Sequence, residues 1–162
     1  MKNKELFNRT ISILVNAYLN DTLEHGQPCG CAIGNLVAAN NGYSIQKSER
    51  SNWVFIEGAR FRHAFWTEVQ NYGRKREKVY MDDCYDKGVK ELLSTGYNTS
   101  ETLLIEAAFE SPRLTENGTC IDDDSIDSTG YLGLMSVVDT LMEIHEATTE
   151  EAEAAKLLFV KP

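Results

Sequence analysis

His25, Cys29 and Cys31 fall within seven residues, in the order His-Gly-Gln-Pro-Cys-Gly-Cys, just ahead of an apolar pattern with helical spacing. Imidazole nitrogen and thiolate sulfur are donors that a tetrahedral zinc ion takes, and such an ion needs about four of them. Three candidate metal ligands therefore lie together, while Cys84 and Cys120 would have to arrive by tertiary contact. A helix N-terminus and a nearby cation both favour the thiolate that metal binding or nucleophilic chemistry requires. Against this, Cys-x-Cys is tighter than the usual Cys-x-x-Cys of structural zinc sites. Small thiols packed in a core are the competing expectation.

A second set of candidates is Arg60, Arg62, Trp66, Arg74 and Arg76, which interleave cations with aromatic rings along residues 60–78. Rings stack on nucleobases and guanidinium groups pair with phosphates, so a nucleotide or small anion is the ligand this segment suggests. The simpler expectation is a helix with an apolar inner face and a cationic outer one. Acidic groups cluster as well. Asp122-Asp123-Asp124-Ser125-Ile126-Asp127 resembles a calcium loop, but neither possible register places glycine sixth and glutamate twelfth. Glu106 and Glu110, with Glu143-Ile-His145-Glu146, suggest paired carboxylates. A di-iron bundle needs Glu-x-x-His on two helices, and Met142 stands where the first glutamate would be. Solvated helix faces are the expectation for these groups.

The chain has no phosphate-binding glycine loop, no dinucleotide fingerprint and no nucleophile elbow. No cofactor is expected, and a non-enzymatic role is favoured.

The elements that would position these groups are helical. Leu6, Phe7, Ile11, Leu14, Val15, Tyr18 and Leu19 predict a helix over about 4–23, stopped by His25-Gly26-Gln27-Pro28. Pro28 suits the first turn of a second helix that carries Gly30 and Gly34 on one face and ends near Gly42. Trp53-Val54-Phe55-Ile56 reads as a short strand or an apolar plug. Helices follow over about 59–72 and 80–95. Another is capped by Asn98 with Glu101, a long one by Ser128 or Thr129, and a last by Thr148 with Glu151. Residues 112–127 read as a polar loop. The expected fold is all-α, one compact domain over residues 1–162 with six to seven helices and irregular loops.

The 162 residues carry 42% apolar and 25% charged side chains, which suits one globular domain. No apolar run is long enough to span a bilayer, and the N-terminal stretch lacks a signal-peptide pattern. With four cysteines, the expected setting is a reducing cytoplasm. The net charge of −9 makes nucleic acid a poor default partner. That charge is uneven: residues 97–162 hold fourteen acidic and three basic groups, while residues 42–96 carry a slight basic excess. Such segregation suggests a protein partner or a homo-oligomer.

The run from Phe7 to Gly26, the segment Cys-Gly-Cys-Ala-Ile-Gly-Asn-Leu-Val over 29–37, Thr95-Gly-Tyr97 and Glu106-Ala-Ala-Phe-Glu110 resemble small proteins of Bacteroidota and their phages. Those proteins have no assigned activity. The resemblance implies a mobile-element accessory that acts by binding a host protein or sequestering a ligand. A zinc- or thiol-dependent protein using His25, Cys29 and Cys31 is the second expectation. A nucleotide or anion binder built on 60–78 is the third.

Overall fold

A computed structural model describes residues 1–27, 29–48, 54–62, 64, 83–110 and 130–161. Their regular structure runs α1 (Lys4–Leu19), α2 (Ala32–Asn41), β1 (Ile45–Lys47), β2 (Val54–Ile56), α3 (Asp83–Leu93), α4 (Thr99–Glu110), α5 (Tyr131–His145) and α6 (Thr149–Lys156). The fold is all-α, with one small hairpin. Val54-Phe55-Ile56 is a strand and it has a partner: Ile56 pairs with Ile45 and Val54 with Lys47, antiparallel. Phe61, Arg62 and Ala64 have helical backbone. The rest of the helix expected over 59–72 lies outside the described residues, as do the 112–127 loop, Ser128 and Thr129.

In α1, Phe7, Ile11, Leu14 and Tyr18 recur at one-turn spacing and are buried. At roughly 1.5–3 kcal/mol per large apolar side chain, that stripe fixes the helix in the core. The helix is shorter than its periodicity suggested. Asn20 returns its side-chain amide to the Asn16 carbonyl, and Asp21 takes a left-handed φ of 53°. Short polar side chains offer the backbone these local alternatives to helix. Gly26, expected as the helix stop, is left-handed at φ 70° but sits in a separate turn beyond it.

The second helix begins later than Pro28 led us to expect. Cys31 is its N-cap, accepting the Gly34 N–H at 3.2 Å, and Gly42 is its left-handed C-cap. Gly30 therefore lies in the turn before α2, where a Cβ would meet the Glu24 Cβ at 2.8 Å. Both expected capping boxes are formed. Asn98 and Glu101 exchange backbone-to-side-chain bonds of 2.9 Å each way, and Thr148 and Glu151 do likewise at 3.2 and 3.0 Å. The long helix is capped by Gly130 at φ 71° with no side-chain bond, and α5 packs on α4, α1 and α6. No described helix is long and apolar enough to cross a membrane.

Candidate functional site

The turn carrying His25 is tied down from α2. Buried Asn35 accepts the Thr22 hydroxyl at 2.7 Å, and its amide donates to the carbonyls of Thr22, Gly30 and Cys31 at 3.0–3.2 Å. One side chain thus satisfies backbone acceptors on both sides of the turn, as a buried amide must. The His25 ring stacks on Phe109 of α4, with centroids 4.5 Å apart and planes 10° from parallel. Gly133 of α5 makes the space: a Cβ there would lie 2.5 Å from the Phe109 carbonyl oxygen and 3.1 Å from His25 Cε1.

Phe109 sits between Glu106 and Glu110, which share one face of α4 at a spacing of four residues. Glu110 accepts the Gly26 N–H at 2.8 Å through Oε2, which also lies 3.8 Å from His25 Nδ1. Glu106 reaches the start of α2, where the Cys31 thiol and the Ile33 N–H both bond to it. The expectation of solvated carboxylates is therefore corrected for this pair. The apolar positions at Ile105 and Phe109 carry that face of α4 into the core.

Electrostatics follow from the packing. Burial, together with the charge of Glu110, pushes the Glu106 carboxyl up from 4.5 to about 8, although the thiol and the Ile33 N–H favour the ionised form. Burial, and then the neighbouring Glu106, hold the Cys31 thiol well above its ordinary range. A thiolate at this helix N-terminus is thus disfavoured, because burial, with Glu106 and Glu110 beside it, outweighs the helix dipole. At neutral pH, Cys31 is a thiol and Glu106 is mostly a neutral acid.

Four buried atoms here have no hydrogen-bond partner among the described residues: His25 Nδ1 and Nε2, Glu106 Oε2 and Glu110 Oε1. Each such atom costs about 1–3 kcal/mol, so four in one place call for a ligand, ion or water. The His25 and Glu110 side chains retain 19% and 29% exposure, which opens the cluster to solvent at that end.

Cys29 is buried, in the turn before α2. Among the described residues, no three His, Cys, Asp or Glu groups are arranged to hold a metal ion. The Cys84 side chain and Cys120 lie outside the described residues. Arg60 and Arg62 are exposed, and the Arg60 guanidinium donates to the Ala59 carbonyl at 3.2 Å. The backbone N–H groups of Arg60 and Phe61, which an anion could have used, both donate to buried Glu91 at 2.7 Å. Trp66, Arg74 and Arg76 lie outside the described residues.

Sequence reasoning named His25 with Cys31 and, separately, Glu106 with Glu110, but it did not join the two sets and expected the carboxylates on a solvated face. The four-residue spacing of Glu106 and Glu110 around a buried Phe109 was the available signal. No protein family, no curated protein and no solved structure matches the chain.

Proposed function

We propose that this chain is a binding protein that sequesters a small organic cation at the cluster of His25, Cys31, Glu106 and Glu110. The observation that carries the reading is the set of four buried polar atoms left without partners. The unpaired oxygens of Glu106 and Glu110 accept hydrogen bonds when ionised, and the two ring nitrogens of His25 are also unpaired, so the cluster suits a ligand that brings N–H donors and draws the proton off Glu106. An ammonium or amidinium group supplies those donors and a positive charge for two neighbouring acids. The acidic balance of the chain draws such a ligand in. This is the sequestering role of an accessory protein that the resemblance implies. The metal reading, with His25, Cys29 and Cys31 as ligands, is the alternative.

The test adds methylammonium, guanidinium or zinc to purified protein and follows the melting temperature and the native mass. The organic cations should raise the melting temperature of the wild type, more so at pH 8 than at pH 6, because bound cation favours ionised Glu106. Glu110→Gln should abolish the shift while leaving the apo protein folded. Stabilisation by zinc alone, reversed by a chelator, would replace this reading with the metal one. No shift with any probe would defeat it.

A further inference from the structure

We infer that the ligand of the His25, Glu106 and Glu110 cluster is a small amino alcohol, which rests on the cation reading of that site. Its ammonium meets the two carboxylates and its hydroxyl meets His25. Hydrogen counting at the unpartnered atoms requires both functions. A neutral imidazole has one N–H and one lone pair, whichever tautomer it adopts. With both acids ionised around a bound cation, the two carboxylate oxygens and one ring nitrogen accept, and the other ring nitrogen donates. A guanidinium or a simple alkylammonium brings donors alone. It would leave that imidazole N–H buried and unpaired.

Geometry says which nitrogen donates. His25 Nδ1 lies 3.8 Å from Glu110 Oε2. A lone pair facing a carboxylate oxygen is repelled and an N–H is attracted, so the proton sits on Nδ1 and Nε2 is the acceptor. At that separation the ring and the carboxylate do not bond directly.

Glu110 Oε2 already accepts the Gly26 N–H at 2.8 Å, while Oε1 has no partner among the described residues. The group that belongs beside Nδ1 therefore accepts from the ring and donates to Glu110. A hydroxyl does both, whereas an ether or a carbonyl only accepts. A carboxylate accepts too, but it sets a further negative charge against Glu106 and Glu110. Ammonium and hydroxyl both meet Glu110, so a two-carbon link between them suffices.

The experiment measures binding by calorimetry at pH 8, with ethanolamine, ethylammonium, choline and glycine as probes. Ethanolamine should bind about tenfold or more tighter than ethylammonium. Choline, whose nitrogen carries no hydrogen, and glycine, whose carboxylate meets two others, should not bind. His25→Phe keeps a ring against Phe109 and removes both nitrogens. It should bind the two amines alike, and its melting temperature without ligand should be no lower than that of the wild type, because neither nitrogen has a hydrogen bond to lose. Nitrogen-15 shifts of the wild-type ring with ethanolamine bound should place the proton on Nδ1, which needs no variant to fold. Equal binding of the two amines to the wild type, a preference that survives His25→Phe, or a proton on Nε2 would overturn the amino alcohol and leave the cation reading standing. Absence of binding by either amine would overturn both.

Discussion

Glu106 places a titrating acid where its charged form is disfavoured, and linkage fixes the sign of the consequence. Between 4.5 and about 8 the folded protein holds a proton that the unfolded chain has released, so stability falls as pH rises through that window. Glu106→Gln keeps an acceptor for the Ile33 N–H and removes the ionisation. Its melting temperature should match the wild type at pH 5 and exceed it at pH 8. A wild-type melting curve flat across this range would contradict the assignment. His145 acts in the opposite sense. Burial holds its imidazole below the ordinary 6.5, so its contribution is lost as pH falls below that value. Neither effect was legible from the residues themselves. Glu106 and Cys31 lie 75 positions apart in the chain, and only the tertiary fold gives one a reason to perturb the other.

At the scale of elements, what could be read was what is local. The two capping boxes each span four residues, and their hydrogen bonds close within that span, so Asn98 with Glu101 and Thr148 with Glu151 were readable. Val54-Phe55-Ile56 was readable as a strand or a plug, but three residues show too little alternation to choose between them or to reveal Ile45–Lys47 as the partner. The N-terminus of α2 shifted because Cys31 accepts the Gly34 N–H, a capping role that residue preference assigns to serine or aspartate. Gly88 in α3 shows where propensity and packing disagree. Replacing a helical glycine with alanine ordinarily gains about 1 kcal/mol. Here the new Cβ would lie 2.5 Å from the Arg60 carbonyl oxygen, which is backbone and cannot rotate away. Gly88→Ala should therefore destabilise, by about 1–3 kcal/mol in urea unfolding. A stabilised variant would show that the 59–62 segment yields easily, despite the Glu91 bonds that hold it.

For the molecule as a whole, the helical architecture was legible because periodic apolar stripes recur along most of the chain, and those stripes meet in one core. What the stripes could not reveal is which distant segments share polar bonds. Thr10 of α1 bonds to the Tyr97 hydroxyl at 2.8 Å, and the same hydroxyl bonds to His145 Nε2 at 3.0 Å. These contacts span 87 and 48 residues of chain and are buried. The order of assembly follows from those spans. Closing so long a loop costs entropy that nearby helix pairs such as α4 and α5 do not incur, so the Tyr97 junction should form after the folding barrier. Tyr97→Phe would then speed unfolding while leaving the refolding rate nearly unchanged, as the two arms of a chevron plot can separate. Slowed refolding would instead place this junction in the folding nucleus. With late closure, the Tyr97 hydroxyl acts as a latch on the native state, and it sets how long the folded chain persists more than how fast it forms.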